Sequence, residues 1–131
     1  MSFKSKLFID GNEYTVLHCH YRIQQNLDTT NKPSGVPRGG LINLVIEADD
    51  KTDIYDWMIT PDSRKTGHII FYKRDMADGK MRKIDFSDAY CVDYSEDFDA
   101  INDEAMIITF TLSANSLSLN AVPLENKWGA V

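Results

Sequence analysis

The chain has 131 residues, with 14 Lys+Arg against 20 Asp+Glu for a net charge of −6, and 43% of its residues are hydrophobic. That length and balance fit one folded domain that can bury about two-thirds of its unfolded surface, and they exclude a disordered or fibrous chain. An acidic chain also lacks the basic face on which nonspecific nucleic-acid binding depends.

Taken in chain order, the dominant signal is alternation with period two, the mark of strands with one buried face. Phe3 to Ile9 reads as a first strand, closed by Asp10-Gly11-Asn12, a turn sequence that tolerates positive φ. Glu13 to about Asn26 follows, with Thr15, Leu17, Cys19, Tyr21 and Ile23 on one face. Its length of more than 40 Å at ~3.3 Å per residue predicts a bend or bulge. Residues 27–39 carry turn formers and two prolines and little to bury, which predicts an extended loop of a kind that tends to be functional or disordered. Gly40 to Ala48 returns to strand, with Ile42, Leu44 and Ile46 inward.

One helix is expected over about residues 50–60. Asp49 and Asp50 stand at its start, and Ile54, Trp57 and Met58 recur at helical spacing. Asp53 and Asp56 face water, and Pro61 ends it. Gly67–Asp75 and Lys80 to about Asp97 are strands, the second irregular near Ser87-Asp88, where the apolar parity breaks and resumes. Ala105 to about Leu119 is the last, with Met106, Ile108, Phe110, Leu112 and Ala114 on one face. Ala121–Val131 shows no periodicity. The expected fold class is mainly β: one domain over 1–131, an antiparallel β-barrel of about seven strands with one flanking α-helix.

The search for chemistry finds little. His18 and His20 share a strand face and imidazole suits zinc, copper or nickel, but the sequence nominates no further ligands. Cys19 points away from both, so no Cys–His nucleophile pair forms, and the spacing of Cys19 and Cys91 fits no zinc or redox motif. Asp93 to Glu104 carries six acids and no base. Counted from Asp97 as an EF-hand, position 6 is Asn102 rather than Gly and position 12 is Ile108 rather than Glu. Gly35-Val36-Pro37-Arg38-Gly39-Gly40 lacks the Lys-Ser/Thr of a phosphate loop. Lys73, Arg74, Lys80, Arg82 and Lys83 make only a small basic patch. Neither a metal nor a cofactor is expected from these residues, while a glycosidase-like acid pair stays open.

Charge and surface pattern say more. Residues 1–46 hold five bases and three acids, a net of +2, so residues 47–131 carry −8. Such segments are either solvated faces or complementary surfaces for copies of one chain. Several strands are apolar on both faces (Leu44, Val45 and Ile46; Ile69, Ile70 and Phe71; Met106, Ile107 and Ile108). A small barrel fills its interior from one face, so part of the other must meet the helix, the tail or another subunit. No apolar leader precedes Lys4 and Lys6, and no stretch is long enough for a membrane helix. Synthesis and folding in the cytoplasm, with reduced thiols, is therefore expected.

Six segments, taken with this layout, resemble one family. They are Tyr14-Thr15-Val16-Leu17-His18-Cys19, Pro33-Ser34-Gly35-Val36-Pro37-Arg38-Gly39-Gly40, Trp57-Met58, Ile70-Phe71-Tyr72-Lys73-Arg74-Asp75, Asp88-Ala89-Tyr90-Cys91-Val92 and Phe110-Thr111-Leu112-Ser113-Ala114. The ending Glu125-Asn126-Lys127-Trp128 adds to them, while Leu124 stands where a His is expected. Together they resemble the tube protein of the type VI secretion system (haemolysin-coregulated protein, TssD) in its Bacteroidetes form.

The resemblance implies hexameric rings stacked head to tail into a hollow tube inside a contractile sheath, with spike and baseplate proteins as partners and small effectors in the lumen. It implies assembly in the cytoplasm, then export without a signal peptide, and no enzymatic role. By it, the loop with Asp28, Thr29, Asn31, Lys32, Pro33 and Arg38 reaches an adjacent subunit or ring; the charge split in turn makes Asp97, Asp99, Asp103 and Glu104, in the acidic stretch Asp93–Glu104, a candidate receiving edge. A lipocalin-type ligand barrel, a small hydrolase using the acidic stretch, and the tube of another contractile particle stay open.

Overall fold

In the computed structural model, which describes residues 3–73, 80–101 and 106–125, the elements run β1 (Phe3–Ile9), β2 (Asn12–Tyr21), β3 (Leu41–Glu47), α1 (Asp53–Ile59), β4 (Lys65–Lys73), β5 (Lys80–Asp97), β6 (Ile107–Leu119) and β7 (Val122–Glu125). All pairings are antiparallel, in the order β3-β2-β1-β4-β5-β6-β7. A further β3–β6 pairing, Leu41 opposite Ser113 through Glu47 opposite Ile107, closes six strands into a barrel. β7 pairs with the other end of β6, Ser116–Leu119.

Closure follows from the alternation. Leu7 and Ile9, Ile42, Leu44 and Ile46, and Ile108, Phe110, Leu112 and Ala114 all turn inward and lie in one hydrophobic cluster, which Ile54 and Trp57 of α1 join. Trp57, Phe86 and Phe110 are the largest fully buried side chains, so the interior is a packed core. α1 packs against β5, with Tyr55 edge-on to Tyr94 at 5.8 Å between ring centroids. Beyond Ala89 the β4 side of β5 has no strand partner among the described residues, and the helix packs against β5, which blunts that edge against stray pairing.

The irregularities are where the pattern misleads. The register of β2 against β3 shifts between Val16 and His18. Tyr14 and Val16 therefore point inward before the bulge and Cys19 and Tyr21 after it, while Leu17 is exposed and Thr15 lies on the outer face. The expected single face of Thr15, Leu17, Cys19, Tyr21 and Ile23 holds only for Cys19 and Tyr21, since Ile23 lies past the end of β2 and is exposed. In β5 the irregularity falls where expected, with Asp88 at φ 49° and Ala89 and Cys91 resuming the inward parity.

The tail, which has no periodicity of its own, forms β7 through a tight turn at Asn120 and Ala121, both at positive φ. The helix starts later than its acidic residues imply. Asp49 instead accepts from Lys51 N–H at 2.9 Å, and Asp53 turns toward the barrel to accept from Asn12 Nδ2 at 2.8 Å rather than facing water.

Candidate assembly surfaces

Residues 22–40 leave the barrel between the last residue of β2 and the first of β3 as a two-limbed arm. The limbs are tied by Gln24 N–H to Arg38 O at 2.9 Å, by Arg38 N–H to Gln24 O at 2.7 Å and by Asp28 N–H to Lys32 O at 2.8 Å. At the tip, Asp28 Oδ1 accepts from Thr30 N–H at 2.8 Å, Thr30 Oγ1–H at 2.7 Å and Lys32 N–H at 3.1 Å. The Thr30 hydroxyl, then the Lys32 and Thr30 amides, hold the Asp28 carboxyl below its ordinary range. The arm is thus locally ordered, yet every residue from Arg22 to Arg38 is exposed. Gly39 anchors its root, because a Cβ there would meet Leu124 Cδ2 at 2.7 Å and Ile23 Cγ1 at 2.8 Å.

The antiparallel topology fixes what lies at the far end. Leu41, where the arm returns, and Glu47, beside Ile107, are the two ends of β3, roughly 20 Å apart at ~3.3 Å per residue. The β5–β6 connection, α1 and the β1–β2 turn therefore sit at the end opposite the arm. Ala48 N–H donates to Met106 O at 2.9 Å across that end. Residues 22–40 hold Arg22, Lys32 and Arg38 against Asp28, whereas residues 47–64 hold six carboxylates against Lys51 and Arg64, and residues 93–101 hold four more and no base. The two ends carry opposite charge.

Of the residues the sequence nominates, Asp28, Thr29, Asn31 and Lys32 form the arm tip, with Asn31 at φ 65°, and Pro33 and Arg38 lie on its return limb. Asp97 and Asp99 lie at the opposite end, so the two sets do not meet within one chain. Asp103 and Glu104 fall outside the described residues, as does Arg74 of the basic patch.

The sequence reading passed over the apolar residues among these charges. At the arm end Leu27 and Val36 are exposed, and at the acidic end Tyr55 and Ile59 on the outer face of α1, with Phe98 and Ile101 at 71% and 93% exposure. The signal was present: Tyr55 and Ile59 are spaced i, i+4, and Phe98 and Ile101 interrupt the acidic run.

Reactive chemistry is sparse. His18 and His20 are exposed on one face of β2, and among the described residues no group of three or more His, Cys, Asp or Glu could hold a metal ion. Burial pushes the Cys19 and Cys91 thiols up to about 11, which makes both poor nucleophiles. No helix among the described residues is long and apolar enough to cross a membrane. The fold is that of a packed antiparallel barrel with an ordered, exposed arm at one end.

Comparison with known proteins takes the assignment further. The family model for hemolysin coregulated protein Hcp (TssD) matches residues 1–129. Hcp1 from Flavobacterium johnsoniae superposes with a TM-score of 0.87 at 32% identity, over 94% of this chain and 99% of that one. Hcp1 from Salmonella typhimurium gives 0.72 at 17% identity over 91% and 86%, a likeness of fold alone. The anti-feeding prophage baseplate structure gives 0.54 at 14% identity over 92% and 93%. A search of curated proteins finds no match. The chain belongs to the Hcp (TssD) family.

Proposed function

We propose that the chain is the tube subunit of a type VI secretion system, assembling as hexameric rings that stack head to tail. The observation that carries this is the placement of opposite charge, with exposed apolar side chains in both places, at the two ends of one barrel. Head-to-tail contacts are heterologous, and a heterologous interface is the geometry that makes rings and open stacks from a single chain. In this reading the arm crosses to the neighbouring ring with Lys32 and Arg38 near its carboxylates. Small effectors travel in the lumen, while a contractile sheath, a spike and a baseplate are the other partners. Packing by Trp57, Phe86 and Phe110 where a lipocalin-type barrel needs a cavity favours this reading over that one.

Size-exclusion chromatography with negative-stain imaging tests it. Ring-sized particles that form stacks are expected, and a clean monomer at high concentration overturns the reading. Deleting Asp28–Val36 should leave the melting temperature of the barrel unchanged and abolish stacking. Normal tubes from the deleted protein would remove the arm from the interface. The fold shared with the anti-feeding prophage baseplate supports a second reading, a tube subunit of another contractile particle; sheath, baseplate and ATPase genes beside this one would favour secretion.

A further inference from the structure

The acidic end is more than a charged rim. Ile54 and Trp57 turn one side of α1 into the core, at 3% and 1% exposure, yet the helix has a second apolar stripe, Tyr55 and Ile59, at 50% and 58%. Tyr55 is held against Tyr94, whose hydroxyl donates to Glu96 Oε1 at 2.6 Å, so this stripe is positioned rather than loose. Phe98 and Ile101 are exposed at the same end of the barrel, and Asp99 Oδ1 accepts from Ile101 N–H at 2.9 Å, which shapes the chain between them. Large apolar side chains held in water within a carboxylate border call for an occupant that is apolar in the middle and cationic at its edges.

One segment of this chain has that chemistry, is pre-ordered, and stands at the opposite end. The arm presents Leu27 and Val36 on its two limbs, with Lys32 at the tip and Arg38 toward the root, and no residue from 22 to 38 is buried against its own barrel. We infer that Tyr55 and Ile59 of α1, with Phe98 and Ile101 of the β5–β6 connection, form an apolar seat that receives the arm of a second copy of this chain. The inference rests on the head-to-tail reading above and names its receiving surface. Because Asp28 fixes the tip before contact, docking needs little further ordering of the arm.

The test uses the full chain with Ile59→Asp and Phe98→Asp, and separately Leu27→Asp with Val36→Asp, each followed by melting temperature, ring formation and stack length in negative stain. All four side chains are exposed, so melting temperatures should stay at the wild-type value. Rings should persist in both variants, and the concentration needed for stacking should rise tenfold or more. A mixture of Val36→Cys and Ile101→Cys chains should form a disulfide between copies. Wild-type rings that never stack overturn the tube reading and this inference together. Stacks that survive the seat variant overturn this inference alone. Stacks lost with the seat variant but kept with the arm variant put another segment in the seat and likewise overturn it.

Discussion

At Gly67 the backbone of β4 runs so close to β1 that a Cβ would meet the Phe8 carbonyl oxygen at 2.5 Å and the Phe86 ring at 2.9 Å. Neither neighbour can give way, one being backbone and the other fully buried. Gly67→Ala should therefore destabilise the barrel by about 1–3 kcal/mol, read as a melting temperature several degrees lower. Trp57 is tied differently: its Nε1–H donates to Ser63 O at 2.9 Å while the ring fills the core. Trp57→Phe keeps most of the volume but leaves that carbonyl without its donor, and should cost about 1–3 kcal/mol in chemical denaturation. The two thiols are the first of the buried acids to limit stability at alkaline pH. Their folded values near 11 lie above the ordinary 9, so folding favours the protonated form. That stabilisation is complete below pH 9 and is lost as pH rises toward 11. Cys19→Ala with Cys91→Ala should flatten the fall in melting temperature across that window, whatever its offset at neutral pH.

Among elements, the arm and the strands show which features alternation can reveal. Ile42, Leu44 and Ile46, and the run from Ile108 to Ala114, were legible because a closed barrel buries one face of an unbroken strand. Leu17 was not, because one extra residue in β2 moves every later side chain to the other face and the sequence does not mark where the insertion falls. β7 was hidden for another reason: Pro123 and a positive-φ Ala121 look like punctuation, and only the unpaired end of β6 makes them a strand. The arm was legible as a loop from its prolines, but its order was not, since that order comes from backbone bonds between the limbs and, at the tip, from one carboxylate accepting three hydrogen bonds. Asp28→Ala should speed amide exchange at Thr30 and Lys32 at least tenfold and leave the barrel amides protected, whereas Asp28→Asn keeps an acceptor oxygen and should exchange more slowly than Asp28→Ala. Because the Asp28 carboxyl is held low, the tip should stay ordered above the ordinary carboxylate value near 3.8 and loosen as pH falls through its own lower one.

For the whole molecule, the split of net charge along the sequence becomes a separation in space, because the antiparallel topology puts the arm and the β5–β6 connection at opposite ends of β3. A chain with cationic and anionic ends attracts its copies head to tail and repels them head to head, so in the proposed stack charge selects polarity while the apolar seat supplies contact area. The two contributions separate by ionic strength. Exposed charges are screened over about 10 Å at 0.1 M salt and about 3 Å at 1 M, whereas apolar contact is not weakened by added salt. Raising salt from about 0.05 M to about 1 M should therefore raise the concentration at which rings stack by severalfold without abolishing it. Lys32→Glu, which makes the arm tip repel the acidic end, should reproduce much of that loss at low salt and respond to salt in the opposite sense, stacking better as screening grows. Stacking that is indifferent to salt and to Lys32→Glu would reduce the charge split to a solvated surface and leave the apolar seat as the sole source of stacking.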